Sequence, residues 1–218
     1  MIQALLQIIS PPECLECNRE GALICQNCRT YIVVKKTPTC FRCNKLSALG
    51  RTCKTCRSSA NLSGVVVASH YEGTVKKLIG LLKYERNRDA AEVLAVAMTP
   101  HVPAAGFDFI TSVPIAASRY RQRGYNQAEL LAKALSIHMG VPYCPTMIRL
   151  GSKQQVGARR NDRLSQIKDT IVVNNPLPQK KVLVVDDVLT TGATLNECAR
   201  VLKSAGAKTV WGAVAAKH

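Results

Sequence analysis

Aromatic side chains are scarce in this 218-residue chain, with one Trp, three Phe and six Tyr. A core built from it must be mostly aliphatic, and the 47% apolar content is enough to supply one. Long hydrophobic runs are missing too. Nothing approaches the roughly 20 consecutive apolar residues of a spanning helix, so no membrane span is expected. The first ten residues, Met1–Ser10, carry no Lys or Arg and stop at Pro11 and Pro12. That is too short for a secretory leader, and a cytoplasmic location is expected. Ile2, Leu5, Leu6 and Ile9 share a helical face there and suggest a short docking helix. The glycine signatures G-x-G-x-x-G and G-x-x-x-x-G-K-[ST] are absent, which argues against a dinucleotide fingerprint and a P-loop. Acids are in deficit, 14 against 30 Lys and Arg, for a formal charge of +16. Such a chain suits anionic partners, a polyphosphate or a nucleic acid, without choosing between them.

Cysteine, by contrast, is abundant and regular. Cys14 and Cys17, Cys25 and Cys28, Cys40 and Cys43, and Cys53 and Cys56 form four C-x-x-C pairs. Each pair can clamp one edge of a tetrahedral ion, so eight thiolates make two closed structural Zn²⁺ sites with no open position for catalysis. Disulfides fit less well, because the regular spacing is that of ligands and no secretory leader is present. Sequential pairing closes loops of seven and nine residues; a cross-brace of first with third and second with fourth pairs is the alternative. Two such ions would trim the net charge to about +12. So little apolar material lies in this segment that zinc binding and folding should be one event. Cys144 and Cys198 stand apart and are expected in the core.

Two domains follow: a zinc module over 1–57 with a short N-terminal helix, and an α/β domain over 58–218, joined by the polar stretch Ser58–Ser63. In the larger one, strands are expected at Val65–Ser69, Phe107–Val113, Ile171–Val173, Lys181–Val185 and Thr209–Val214. Helices are expected at Thr74–Lys83 and Asn126–Met139, with apolar residues at helical spacing, and at Asp89–Met98, ended by Pro100 and Pro103. Alternating strands and helices imply a parallel sheet flanked by helices. The run Val182–Val185 has no polar alternation, as in a strand buried on both faces. It ends in Asp186 and Asp187, followed by Thr190, Thr191, Gly192, Ala193 and Thr194 and then a helix through Leu195, Cys198 and Leu202, closed by Gly206. Thr194 and Glu197 have the spacing of a capping box.

Loop residues that enter a helix N-terminus present backbone N–H groups where an anion is favoured. The hydroxyls add donors, Gly192 permits close approach, and the two acids suit sugar hydroxyls or a bound metal. Together they describe a ribose 5-phosphate site at the carboxyl end of a parallel strand. Three further stretches look functional: the small-residue loop at Pro114, Ile115 and Ala116; the arginine-rich Arg119–Gln127; and the basic stretch Arg149–Lys168, which reads as a long mobile loop able to cover a charged substrate.

The strand with Asp-Asp and Thr-Thr-Gly resembles the 5-phosphoribosyl diphosphate (PRPP) motif of type I phosphoribosyltransferases. The whole chain resembles the ComF family, competence-associated phosphoribosyltransferase-like proteins. The resemblance rests on the cysteine pairs, Leu82–Tyr84, the Arg-Gly-Tyr-Asn-Gln at Arg123–Gln127, Gln155 followed by Arg163, and the acid–threonine loop. The chain departs from the family pattern at Gln166 and near Ile171.

The resemblance implies a type I phosphoribosyltransferase fold and Mg²⁺-dependent displacement at C1 of PRPP. Asp186 and Asp187 would hold the ribose diol and its metal, and Thr190–Thr194 the 5-phosphate. Pro114–Ala116, Arg123, Arg159, Arg160, Arg163 and Lys83 would lie around the diphosphate, with Arg163 joining the acids in catalysis. No extension is evident to form a hood over the acceptor, so the zinc module is a candidate cover. The resemblance equally implies a role in single-stranded DNA uptake with a helicase-like partner. The alternative function is therefore a DNA-binding adaptor that uses the same fold without catalysis.

Overall fold

The computed structural model describes residues 11–32, 37–85, 87–103, 106–150 and 170–218. The expected docking helix at Met1–Ser10 lies outside them, as does most of the basic stretch up to Lys168, including Arg159, Arg160 and Arg163.

Four strands form one parallel sheet in the order β1-β6-β5-β2: β1 (Gly64–His70), β2 (Phe109–Ser112), β5 (Lys181–Leu189) and β6 (Thr209–Lys217). Helices α1 (Gly73–Tyr84), α2 (Asp89–Met98) and α4 (Gln127–Met139) cover one face. Helix α5 (Ala193–Ser204) covers the other. Side-chain alternation along β5 explains how both faces are filled. Leu183 and Val185 join the cluster with Leu78, Leu94 and Leu131, while Val182 and Val184 join Leu195, Cys198 and Leu202. An unbroken apolar run is what a strand between two such layers requires.

Several expectations change in detail. Strand β5 does not stop at Val185 but runs nine residues, through both acids, to Leu189. Main-chain pairing with β6 continues past Asp186, opposite Val214, as far as Leu189, opposite Lys217. Ile171–Val173 is a strand (β4), but it pairs antiparallel with β3 (Met147–Arg149) outside the main sheet. Arg149, expected in a loop, is thereby fixed at one end of that ribbon. Arg119–Arg123 is helical, within α3 (Ala117–Arg123), which Gly124 ends in the left-handed conformation at φ 79°. The capping box is not made. The N-cap of α5 is Gly192, and Glu197 instead forks with Arg200 at 2.7 and 2.9 Å. Cys198 is fully buried, while Cys144 is half-buried.

The stretch 58–63 is polar, yet it is bound into the sheet edge. Ser63 N–H donates to Val210 O at 2.8 Å, Thr52 N–H donates to Ser63 O at 2.9 Å, and Leu62 is buried. Polarity identifies side chains that tolerate water; it does not show where backbone donors go. The two cysteine knuckles sit against different layers. Cys14, Ile24 and Ile32 join the cluster beneath α1, where Thr74 Oγ1 also donates to Glu16 Oε1. Phe41 joins the cluster beneath α5.

Where the second knuckle meets the edge of β1, two glycines make the fit. A Cβ on Gly64 would lie 2.5 Å from the Trp211 ring and 2.8 Å from Gly50 O; one on Gly50 would lie 2.4 Å from Val65 O. Gly64→Ala is therefore expected to cost about 1–3 kcal/mol through overpacking. Urea unfolding followed by Trp211 fluorescence checks this, and an unchanged midpoint contradicts the tight junction.

Candidate functional site

The site lies at the carboxyl ends of β5 and β2. Consecutive residues on a strand face opposite ways, so the twin acids are divided between the two layers. Asp187 is buried on the α1 side, where Lys83 Nζ, from the last turn of α1, lies 3.0 Å from its Oδ2. The alignment is not that of a hydrogen bond, and Oδ2 has no hydrogen-bond partner among the described residues. Asp186 lies on the α5 side, where its charge acts on the Cys198 thiol. Burial, and next the Asp187 carboxylate, push Asp186 up to about 8. The backbone N–H of Asp187, which donates to Asp186 Oδ1 at 2.9 Å, and the charges of Lys83 and Arg119 offset only part of this.

Beyond the acids, the chain turns through Thr190 and Thr191, both exposed, into Gly192 at φ 76° and then α5. The first N–H groups of a helix have no partner within it. That of Ala193 is held by Thr191 Oγ1 at 3.3 Å. The remaining helix start is available to an outside acceptor, favoured by the dipole of a 12-residue helix.

The segment Arg123–Gln127 assembles the opposite wall. Tyr125 is buried and its hydroxyl donates to Leu82 O, which fixes the residue before Lys83. Asn126 caps α4, accepting from Ala128 N–H at 3.1 Å, and its amide donates to Val113 O at 3.0 Å. It thereby holds the strand exit that leads into Pro114, Ile115 and Ala116. Arg123 stands 5.6 Å over the Tyr84 ring, and its Nη1 is buried without a partner among the described residues. Gln127 Oε1 is buried in the same condition.

Two cations that the sequence offered only as members of basic stretches, Arg119 and Arg149, take individual places. Arg149, at the end of β3, is half-buried, and burial together with the charge of Arg119 holds its guanidinium below the ordinary value. Arg119 itself acts on Asp186. The two arginines thus bring guanidinium charge close to the half-buried Asp186 carboxyl. The signal for Arg119 was the arginine density of 119–123; Arg149 was read as the start of a basic loop, because its strand pairing with Ile171 is long-range.

The cysteines form two groups, Cys14–Cys17–Cys25–Cys28 and Cys40–Cys43–Cys53–Cys56, whose sulfurs lie within 4.8 Å of one another. Pairing is therefore sequential and the cross-brace is ruled out. The Sγ atoms of Cys17 and Cys25, and of Cys43 and Cys53, are 3.6 Å apart. A tetrahedral ion with ~2.3 Å bonds to sulfur needs about 3.8 Å, so each set fits such an ion. The backbone N–H of Cys25 holds the Cys14 thiol down to about 6, while burial and the neighbouring thiols push Cys28 up to about 12. Four sulfurs in one cluster resist complete ionisation until a cation joins them.

Comparison with known proteins follows the same lines. The phosphoribosyl transferase domain model matches residues 125–218, which include β5, α5 and β6. Competence protein F of Haemophilus influenzae is 30% identical over 209 residues, 87% of this chain and 89% of that protein. Competence protein ComFC of Streptococcus pneumoniae is 24% identical over 95% of this chain and 94% of its own length. The DNA utilization protein YhgH of Salmonella typhi is 31% identical over 67% of this chain and 68% of its own length. Among the described residues no helix is long and apolar enough to cross a membrane.

The raised Asp186 makes stability depend on pH. Because its folded-state value lies above the ordinary carboxylate range, its contribution is full at low pH and is lost as pH rises toward about 8. Asp186→Asn removes that loss. Its melting temperature should exceed that of the wild type by a margin that widens between pH 5 and about pH 8 and is level above it. A margin that stays constant with pH contradicts the assignment.

Proposed function

The chain belongs to the ComF family of phosphoribosyltransferase-like proteins, and we propose that its site binds PRPP with Mg²⁺ for displacement at C1 of the sugar. The observation that carries this reading is a half-buried carboxyl, Asp186, next to the buried Asp187, with the charges of Lys83 and Arg119 acting on it and an open helix start beyond. Acids and cations so arranged suit a divalent cation together with a polyanion. The 5-phosphate would sit on the helix start, held by the backbone from Thr191 to Thr194 and by the threonine hydroxyls. Asp186 and Asp187 approach from the two layers and would take the ribose hydroxyls and the metal. The diphosphate would lie toward Pro114–Ala116, with Arg123, Arg119, Arg149 and Lys83 as its cations. Arg159, Arg160 and Arg163, outside the described residues, belong to the same reading through the family motif, Arg163 in a catalytic role. A Mg²⁺ ion held by Asp186 and Asp187 would supply Lewis-acid stabilisation of the charge that gathers on the leaving diphosphate. The protein's own part is electrostatic: it fixes cations where charge gathers as diphosphate departs.

Lys83 gives the site a way to rest. It pairs with Asp187, and a cation held by the acids would leave it available to the diphosphate. Zinc is the ion assigned to both cysteine clusters, since four thiolates at tetrahedral spacing are its preferred set. The same reading divides the chain into a zinc module through residue 57 and a phosphoribosyltransferase-like domain from 58.

A second reading draws on the charge of +16 and on the names of the relatives, competence and DNA utilization proteins. It is binding of single-stranded DNA, with or without catalysis. A role in DNA uptake fits both readings.

Isothermal titration separates them. PRPP should bind in the presence of Mg²⁺, and Asp187→Asn should weaken it by about 10–150-fold, the loss of one charge-assisted contact. DNA binding should survive Asp187→Asn and fall steeply with salt. Absence of PRPP binding by the wild type overturns the first reading.

A further inference from the structure

Phe41 is one of three phenylalanines in the chain, and it stands in an unusual place. It lies between Cys40 and Cys43, so both ends of its turn are ligands of the second cysteine cluster. The ring is buried and packs with Leu189 and Leu195, the residues on either side of the phosphate loop. Its Cδ2 would be 2.9 Å, and its Cε2 3.2 Å, from a Cβ on Gly192. The ring is thus seated on the backbone of the residue that turns the chain into α5. Gly192 is required there twice, by its φ of 76° and by the ring.

Two more contacts tie the same segment to the loop's surroundings. Lys217 Nζ, at the end of β6, donates to Asn44 Oδ1, one residue past Cys43. Asn61 N–H donates to Asn196 Oδ1, in the first turn of α5, at 2.7 Å. The loop, the start of its helix and the end of the neighbouring strand are each held by the segment that closes around the second cluster. The first knuckle packs in the other layer, beneath α1.

We infer that the second cysteine knuckle is a wall of the phosphate loop, with Phe41 as the positioning residue that sets Gly192, so that metal at Cys40, Cys43, Cys53 and Cys56 and a sugar phosphate at the loop bind with positive coupling. The ligand half of this statement rests on the ribose-phosphate reading above; the contact between ring and loop does not. Coupling of this kind is reciprocal. Metal at the second cluster holds the ring, the ring holds the loop, and a phosphate on the loop slows loss of that metal. The first cluster takes no part.

The test uses the full-length protein loaded with zinc, as wild type, Phe41→Ala and Phe41→Leu. Metal analysis should find two ions per chain in each. Amide exchange across Leu189–Leu195 should quicken by roughly tenfold or more in Phe41→Ala, with Phe41→Leu between it and the wild type and the first knuckle unchanged. PRPP with Mg²⁺ should bind the wild type more tightly than Phe41→Ala by a similar factor. It should also slow zinc release to a chelator from the second cluster, leaving the first unaffected. Unchanged loop exchange in a variant that keeps both ions overturns the inference. If Phe41→Ala loses its second ion, Phe41→Leu decides on the same criterion. If wild type fails to bind PRPP, the ribose-phosphate reading falls, while the exchange measurement still decides whether the knuckle is a wall of the loop.

Discussion

A strand buried on both faces that carries two consecutive carboxylates poses an electrostatic problem, and the site is built around it. Alternation sends Asp187 toward α1 and Asp186 toward α5, so the partner of one offsets only part of the charge of the other. Lys83 answers Asp187 from the end of α1. Asp186 has no cation in direct contact among the described residues. Burial and its neighbour push it toward the neutral form. A folded chain keeps such a carboxyl at a cost in stability. Arrival of a cation is what would turn that cost into affinity.

The surrounding elements hold this arrangement in register. Tyr125 secures Leu82 O and so the turn that bears Lys83, while Asn126 ties the exit of β2 to the start of α4. Two neighbours in sequence thus fix two walls of one pocket. Arg123, beside them, is left with a buried guanidinium nitrogen facing no partner among the described residues. On the other side the second cysteine knuckle lies along the edge of β1, through Gly50 and Gly64, and reaches the phosphate loop through Phe41. The cysteine segment is therefore part of the architecture of the site.

Much of this was legible in the sequence, for reasons that can be named. The run Val182–Val185 announced a strand between two layers, and the helix at Asp89–Met98 was readable to the residue, its end marked by Pro100 and Pro103. Ligand spacing announced the cysteine clusters, although not which pairs share a metal; that depends on how the two knuckles fold. What escaped was long-range. The antiparallel pairing of β3 with β4, and with it the position of Arg149, depends on partners more than twenty residues apart. The extension of β5 through both acids depends on β6 continuing alongside it. Glu197 chose Arg200 over a capping role because an arginine one turn away offered a two-pronged partner. The hold of 58–63 on the sheet edge lies in backbone bonds that no side-chain pattern reveals.

The account turns on one protonation state, and carbon NMR titration of the Asp186 carboxyl in the zinc-loaded protein reads it directly. Without ligand, the carboxyl should titrate far above an ordinary aspartate; with Mg²⁺ and PRPP present, it should stay ionised down to the ordinary range or below. An Asp186 that titrates near 4 in both conditions would contradict the claim that this pocket is built around an unmet charge.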